Sequence, residues 1–282
     1  MRFRRWGILL GAVILMSLGF TKGVSAESIA NADDRPENLV KIRVMTYNIR
    51  FGKGWDDQWD LDRTASVIRE ANPDLVGIQE VDREWSSRSE FKDVVTELAE
   101  RLGMFYTFAP SMDKAPGTAG SKFGNAILSK YPIDEVWSRL LPAEGMGRGM
   151  VGVRLRIAGV PINFVTTHLG LSTSDRLKEV DEILKALDEV PGPTVITGDW
   201  NVTDQAEEVA AMKQVFQDTQ TVAGKSNVGT FHNKDGSRER IDYIFASPEF
   251  GVDSVDIPEV IASDHLPVVA NLTLDINEQP GL

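Results

Sequence analysis

The chain has 282 residues, of which 42 are acidic and 30 are basic, and its formal net charge at pH 7 is −12. This length suffices for one large hydrophobic core, while the acidic balance argues against nonspecific nucleic-acid binding, in which Lys and Arg neutralise phosphates. Because the chain has no Cys, it can form no disulfide and offers no site for lipoprotein attachment. A local basic cleft is still compatible with this charge, and clustered carboxylates are what a hard cation requires.

Residues 1–26 have the pattern of a secretory signal peptide. Three arginines precede an apolar stretch at residues 6–20, and Val24-Ser25-Ala26 then offers small residues for cleavage. The alternative is an uncleaved membrane anchor, but the stretch is shorter than the roughly 20 residues that a spanning helix needs. We therefore expect export to the bacterial cell envelope or the medium, a mature chain beginning at Glu27, and no stable membrane association after cleavage.

The rest of the sequence indicates one α/β domain. Residues 27–39 are polar, contain Pro36 and show no periodicity, which predicts a flexible leader. From residue 40 to residue 275, short apolar runs alternate with amphipathic segments and no linker interrupts them. We expect a short tail at 276–282 and a monomeric protein.

Three segments have the apolar spacing of amphipathic helices. The first covers Leu61–Ala71 and stops before Pro73. The third is predicted to begin at Ser172, which can cap its first turn together with Asp175. The predicted buried faces of the second and third helices are Phe91, Val94, Val95, Leu98 and Leu102, and Leu177, Val180, Leu184 and Leu187. We assign these faces to the hydrophobic core, with no cofactor role.

Several apolar runs end in side chains that can hold a metal or move a proton. In chain order, these side chains are Asn48, Glu80, His168, Asp199 with Asn201, Asp242 and His265. The runs that end at the first four positions read as buried strands. Since ligands of α/β proteins bind outside the carboxyl ends of strands, we expect these side chains to converge on one rim.

The segment Gly198-Asp199-Trp200-Asn201 can serve phosphoryl chemistry. On an extended backbone alternate side chains share a face, so Asp199 and Asn201 would point together and Trp200 would point into the core. A carboxylate there can orient or deprotonate water, and the amide can donate a hydrogen bond to a phosphoryl oxygen. Taken alone, such a segment is more often a turn.

The chain has three histidines, and His265 is the strongest candidate for acid–base chemistry. A His works best when a carboxylate holds its tautomer, and Asp242 is available for that role. Asp242 could equally form a salt bridge with Arg240. His232 lies in a loop and, taken alone, reads as structural or solvent-facing.

Seven short segments together resemble the endonuclease/exonuclease/phosphatase superfamily, the fold group of deoxyribonuclease I. In order they are Thr46-Tyr47-Asn48, Ile78-Gln79-Glu80, Gly124–Ser129, Thr167-His168-Leu169, Gly198–Asn201, Arg240–Tyr243 and Ser263-Asp264-His265. They span about residues 40 to 272, and Trp200 departs from the commoner Phe. The resemblance implies a four-layer sandwich in which two facing mixed β-sheets are flanked by helices, and it suggests a bacterial exported branch of the group.

The resemblance also implies roles for individual residues. Glu80 is similar to the main metal-binding carboxylate of the group, with Asn48 beside it and Asp264 in support, and the implied cation is Mg²⁺ or Mn²⁺. The implied catalytic residues are His265 as base or phosphate contact, Asp242 as its partner, Asp199 as activator of water, and Asn201 and His168 as donors to phosphoryl oxygens.

Three further residues are candidates for substrate binding: Asn125, Arg148 and His232. Arg148 and His232 lie in the long Gly-rich segments 141–149 and 223–239, and a third such segment covers 110–122. Long loops often bind ligands, although Arg148 could equally be a solvated surface residue.

These observations predict an exported, Mg²⁺-dependent phosphoesterase that attacks phosphorus with activated water. The leading substrates are phosphodiesters, including nucleic acid, followed by small phosphorylated metabolites. One alternative is a sphingomyelinase-like phospholipid phosphodiesterase, for which Trp55–Trp59 would be the only apolar projection. Another is a binding module that kept the fold and lost the chemistry, which the intact set of polar residues argues against.

Overall fold

The computed structural model describes residues 38–114 and 120–278. The predicted signal peptide and nearly all of the predicted leader lie outside these residues, although Leu39 already belongs to the first strand. Within the described ranges, no helix is both long enough and apolar enough to cross a membrane.

Strands dominate the described part of the chain. The strands are β1 (Leu39–Asn48), β2 (Leu75–Arg83), β3 (Phe105–Asp113), β4 (Lys122–Ser129), β5 (Ile133–Leu141), β6 (Arg148–Ile157), β7 (Val160–His168), β8 (Thr194–Asp199), β9 (Gln217–Asp218), β10 (Phe231–His232), β11 (Arg238–Glu239), β12 (Asp242–Ala246), β13 (Phe250–Asp256) and β14 (Val268–Asp275). The α-helices are α1 (Leu61–Ala71), α2 (Val94–Leu102), α3 (Thr173–Asp188), α4 (Glu207–Met212) and α5 (Thr219–Val222).

Two six-stranded sheets form the centre of the domain. Their strand orders are β13-β14-β1-β2-β4-β3 and β5-β6-β7-β8-β12-β9, and β10 pairs with β11 in a separate hairpin. Each large sheet is mixed, because β1 runs parallel to β2 and β7 runs parallel to β8 while the other pairs are antiparallel. The predicted pair of mixed sheets is confirmed.

Three apolar clusters hold the layers together. Side chains such as Val44 and Phe164 come from different sheets and share one cluster between the sheets. A second cluster packs β1 and β2 against α1 and α2, and a third packs β7 and β8 against α3 and α4. Because both faces of the central strands are covered, these strands are apolar along most of their length rather than alternating.

The third predicted helix begins at its predicted cap, but the buried faces of the second and third helices differ from the predictions. Ser172 accepts a hydrogen bond from the Asp175 backbone N–H at 3.2 Å and so caps α3, as predicted. Phe91 precedes α2 and is 61% exposed, and Leu177 on α3 is 38% exposed. The buried face of α3 includes Glu179 instead, whose carboxylate accepts the Gly170 backbone N–H at 2.8 Å. This hydrogen bond allows Glu179 to lie on the buried face of α3, where the spacing of apolar residues alone does not predict a carboxylate.

Candidate active site

The polar strand ends meet on one rim of the sandwich. β7 and β8 are parallel and pair His168 with Asp199, and Asn48 ends β1 in the facing sheet. Asp242 reaches the same rim differently. It begins β12, which runs antiparallel to β8 and pairs Asp242 with Asp199. The sequence pattern around Asp242 does not predict a strand, although Asp242 is among the predicted site residues.

Glu80 reaches the rim through an irregularity rather than a strand end. β2 continues to Arg83, and its pairing with β4 shifts register between Ile78 and Val81. Glu80 lies in this bulge with a φ of 58°, a left-handed conformation that a non-glycine residue rarely adopts. The prediction that Glu80 ends a strand is therefore wrong. The bulge turns its side chain toward the rim, which regular pairing would not do.

Asn48 connects two carboxylates of the rim. It is fully buried, and its Nδ2 donates to Asp199 Oδ2 at 2.9 Å and lies 3.4 Å from Glu80 Oε1. Its Oδ1 accepts the Arg50 backbone N–H at 3.0 Å. This arrangement fixes the orientation of the amide and holds Glu80 and Asp199 on either side of it.

His265, Asp242 and Thr230 form a buried chain of hydrogen bonds. His265 Nδ1 lies 2.9 Å from Asp242 Oδ2, and Thr230 Oγ1 donates to the same oxygen at 2.6 Å. On the other side of the ring, His265 Nε2 lies 3.6 Å from Asp199 Oδ2. Burial lowers the pKa of His265, but the negative charges of Asp242 and Asp199 outweigh burial and raise the pKa to about 10. His265 is therefore a cation at neutral pH, which suits contact with a phosphate.

His168 has the opposite character. Burial lowers its pKa to about 3 despite the nearby charge of Asp199, so the ring is neutral. Asn201 Nδ2 donates to His168 Nε2 at 3.0 Å and to the Leu169 carbonyl at 2.9 Å, which uses both amide protons inside the protein. Before either side chain can donate to a phosphoryl oxygen, one of these hydrogen bonds must break.

The link between Asp199 and Asn201 is a turn rather than an extended strand. β8 ends at Asp199, and Asn201 has a φ of 51°. Asp199 Oδ1 accepts the Asn201 backbone N–H at 3.0 Å. The expected alternation of side chains does not apply here, although Trp200 is buried as predicted, with its ring edge-on to Phe245.

A cleft of about 380 Å³ opens over these residues, and it is rich in carboxylates. Glu80, Asp199 and Asp264 all line the cleft. Burial raises the pKa of Glu80, and although the positive charge of His265 lowers it, the charges of Asp199 and Asp264 add to the increase. A bound cation would relieve this crowding of negative charge.

The donor atoms at the rim fit a divalent cation. Asp199, Asp242 and His265 have ligand atoms within 4.8 Å of one another, and the buried Asp242 Oδ1 has no hydrogen-bond partner in the described part of the chain. His265, however, is engaged by Asp242 and carries a proton. Glu80 and Asp264 line the same cleft and offer oxygen ligands of the kind that a hard cation prefers, and Asp264 Oδ2 also pairs with Arg50 at 3.3 Å.

Of the three predicted substrate-binding residues, only Arg148 lines the cleft. It is 6% exposed, its Nε has no hydrogen-bond partner, and it forms no salt bridge with any described residue. Asn125 is buried and donates to the Gly149 carbonyl at 2.8 Å, so it supports β6. His232 stacks on Trp55 with ring centroids 5.2 Å apart and lines a separate pocket. The structure thus brings neither Asn125 nor His232 into the cleft.

Several residues of the cleft are not among the site residues predicted from the sequence. They are Arg88, Phe123, Met146, Leu171, Phe231, Glu239 and Ile241. Arg88 pairs with the buried Asp82 at 2.6 Å and stacks over the Phe51 ring. No local pattern marks Met146 or Leu171, because only the tertiary fold brings them to the cleft.

Two facing mixed sheets with a carboxylate and histidine cluster on one rim define a phosphoesterase-type fold. The chain belongs to the endonuclease/exonuclease/phosphatase family, whose model matches residues 45–265. The protein is therefore assigned to a family of phosphate-ester hydrolases.

The chain is similar to proteins from several organisms. It is 30% identical over 140 residues to protein cwh43 of Schizosaccharomyces pombe, a match that covers 49% of this chain and 14% of cwh43. It is 25% identical over 176 residues to the uncharacterized protein YbhP of Escherichia coli, covering 57% of this chain and 66% of YbhP. The crystal structure of an endonuclease/exonuclease/phosphatase from Bacteroides vulgatus superposes with a TM-score of 0.71 at 25% identity, covering 83% of this chain and 99% of that one. The matched regions thus span less than two thirds of both curated relatives.

Proposed function

We propose that this protein is a divalent-metal-dependent phosphoesterase that hydrolyses phosphodiesters or small phosphate esters by in-line attack of water. The observation that carries the proposal is the contact between Asp199 and the cationic His265, 3.6 Å apart in a cleft that also holds Glu80 and Asp264. A negative group that can activate water thus lies beside a positive group that can bind the phosphoryl oxygen.

Asp199 is the residue proposed to orient and deprotonate water. Asn48 holds its Oδ2, the Asn201 backbone N–H holds its Oδ1, and both histidines lie within 3.6 Å of Oδ2. This rigid setting keeps the carboxylate in place without neutralising it completely. A well-placed base of this kind contributes about 10²–10⁴-fold in rate.

His265 and Arg148 are proposed to bind the phosphoryl group. Asp242 keeps His265 protonated on Nδ1, so Nε2–H is available to donate toward the cleft. Arg148 adds a second cation, whose Nε has no hydrogen-bond partner among the described residues. Donors that are held in place before the reaction stabilise negative charge that develops on oxygen.

Glu80, Asp264 and Asn48 are the residues proposed to hold Mg²⁺ or Mn²⁺. When bound, the cation supplies positive charge that stabilises negative charge on the phosphoryl oxygens. Asn48 Nδ2 faces Glu80 and Asp199 in this structure, so Asn48 would offer its Oδ1 to a cation beside Glu80 only after its amide group turned over.

The segment Trp55–Trp59 offers little support for the sphingomyelinase-like alternative. Trp59 Nε1 donates to the Phe51 carbonyl at 2.8 Å, which ties its ring to the body of the protein. Asp56 pairs with Arg63 at 2.7 Å and Asp57 pairs with Lys53 at 2.7 Å. Trp55 is 41% exposed, but these contacts tie down the rest of the segment, so it offers one exposed aromatic ring rather than an apolar hairpin.

The proposal includes export by a cleaved signal peptide, on the basis of residues 1–26 alone. Mass spectrometry of the secreted protein should find Glu27 at the amino terminus. Recovery of the intact chain from the membrane fraction would contradict cleavage.

The test of the catalytic proposal is hydrolysis of bis(p-nitrophenyl) phosphate with Mg²⁺, Mn²⁺ or a chelator. Asp199→Asn keeps the size of the side chain but removes its charge and one of its two acceptor oxygens, so turnover should fall about 10²–10⁴-fold. Asp188→Asn, at the exposed end of α3, is the matched control and should keep full turnover. Wild-type turnover in a folded Asp199→Asn variant would refute the assignment and favour the binding-module alternative.

A further inference from the structure

The most exposed apolar side chains near the cleft lie together at one end of it. Leu171 is 77% exposed and Met146 is 56% exposed, and both line the cleft. Leu171 follows His168 by only three residues, so an apolar surface begins directly beside the catalytic rim. Large apolar side chains this accessible to water gain stability when a ligand covers them.

This apolar end continues into a second pocket. The second pocket has a volume of about 220 Å³ and shares Met146, Arg148 and Leu171 with the cleft. Arg148 therefore lies at the junction of the two spaces. A phosphate held between Arg148 and His265 would have one of its ester groups beside Met146 and Leu171.

The charges around the second pocket indicate what this ester group is. Asp175 and Glu144 line the pocket, and one Asp175 carboxylate oxygen accepts the Glu144 backbone N–H at 3.4 Å. Glu144 pairs with Lys178 at 3.6 Å, so Asp175 is the carboxylate that would repel a second phosphate, as in a continuing nucleic-acid strand. An uncharged group with apolar surface meets no such repulsion.

We infer that the cleft is built for amphiphilic phosphate esters, in which an alkyl group next to the scissile phosphate lies on Met146 and Leu171. The inference rests on the proposed phosphoesterase function and names its substrate class. The phosphate binds at Arg148 and His265, and the apolar alcohol group enters the second pocket.

A chain-length series tests the inference. The substrates are p-nitrophenyl phosphodiesters whose second ester group is methyl, butyl or hexyl, used as soluble monomers with Mg²⁺ or Mn²⁺. Burial of one CH₂ group is worth up to about fourfold, so kcat/KM should rise at least about tenfold from methyl to hexyl. If the wild type hydrolyses the methyl ester and the series is flat, the inference is overturned while the phosphoesterase function stands. If p-nitrophenyl phosphate is hydrolysed but none of the diesters is, the inference is overturned, and if neither kind of ester is hydrolysed with either metal, the proposed function itself fails.

Two variants locate the effect on the surface. Leu171→Ser and Met146→Ser should each reduce the hexyl-to-methyl ratio of kcat/KM to below about threefold. Leu177→Ser, which changes an exposed leucine of α3 that lines neither pocket, should leave the ratio unchanged. A full chain-length effect in both Leu171→Ser and Met146→Ser would overturn the inference. The wild-type series tests it even if one variant fails to fold.

A further comparison distinguishes a free amphiphile from a lipid bilayer as the source of the ester. A hexadecyl p-nitrophenyl phosphate embedded in phosphatidylcholine vesicles is compared with the hexyl ester in solution. Faster hydrolysis in vesicles assigns the substrate to a membrane surface, and faster hydrolysis in solution assigns it to soluble amphiphiles. Each result supports the inference if the chain-length effect is present.

Discussion

Replacing Thr230 with Val should destabilise the domain and disturb the catalytic rim at the same time. The Thr230 hydroxyl is fully buried and donates to Asp242 Oδ2 at 2.6 Å. It also accepts the backbone N–H groups of Ile241 and Asp242 at 3.2 and 3.1 Å. Val has nearly the same shape, so the substitution creates no cavity and removes only these hydrogen bonds.

The expected loss follows from the groups that remain without partners. A buried polar group without a partner costs about 1–3 kcal/mol, and Thr230→Val removes the hydroxyl partner of two amide groups, while Asp242 Oδ2 loses one of its two donors and keeps His265. We expect the free energy of unfolding to fall by about 2–5 kcal/mol, a large part of the about 5–15 kcal/mol that is typical of a domain. Turnover should fall about tenfold or more in the folded fraction, because Asp242 then holds His265 less firmly.

Urea unfolding and turnover on bis(p-nitrophenyl) phosphate are the two assays. Thr230→Ser keeps the hydroxyl and should retain most of the stability and turnover. Thr219→Val is a matched control, since the buried Thr219 hydroxyl makes one hydrogen bond, to the Ile244 carbonyl at 2.9 Å, and its loss should cost about 1 kcal/mol. A Thr230→Val protein within about 0.5 kcal/mol of the wild type would refute this reasoning.

Three further predictions concern the interface of the sheets and the rim. Gly77→Ala should lower the free energy of unfolding by about 3 kcal/mol in urea unfolding, because the added Cβ would lie 2.0 Å from Thr197 Oγ1 between the sheets. Glu80→Gln should weaken Mg²⁺ binding, measured by calorimetry, but raise the midpoint temperature of unfolding in the presence of chelator. The reason is that burial and nearby carboxylates raise the pKa of Glu80, so its charge destabilises the metal-free fold. A lower midpoint temperature would contradict this. The pKa of His265 is raised from 6.5 to about 10, so its stabilising contribution is complete below pH 6.5 and is lost as the pH rises toward 10. The unfolding equilibrium in chelator should therefore shift toward the unfolded state by at least about tenfold between pH 7 and 10, and His265→Gln should remove most of that shift.

The sequence alone predicts the rim residues that end β1, β7 and β8. An apolar run followed by a polar side chain is a local pattern, and parallel pairing of β7 with β8 brings such ends together. Asn48, His168 and Asp199 could therefore be chosen before the fold was known. The pair of mixed sheets was implied by the resemblance of seven short segments, in their order along the chain, to the endonuclease/exonuclease/phosphatase superfamily, and each segment is weak when taken alone.

The local sequence pattern does not predict how a residue reaches the rim when strand pairing departs from regular geometry. Glu80 was chosen as a strand end, yet it lies within β2 and reaches the rim through a bulge and a left-handed φ. Asp242 begins its strand and reaches the rim because β12 runs antiparallel to β8. Both positions depend on which strand lies alongside, and a single sequence does not contain that information.

Only the tertiary structure decided the protonation states of the two site histidines and the surroundings of the residues in the Gly-rich segments. Arg148 and His232 lie in similar Gly-rich segments, yet Arg148 is buried beside the carboxylates of the cleft and His232 stacks on Trp55. His168 and His265 have the same ordinary pKa, and they shift in opposite directions because His265 contacts Asp242 while burial dominates at His168. Such differences arise from desolvation and from charges far away in the sequence, which act only when the chain is folded.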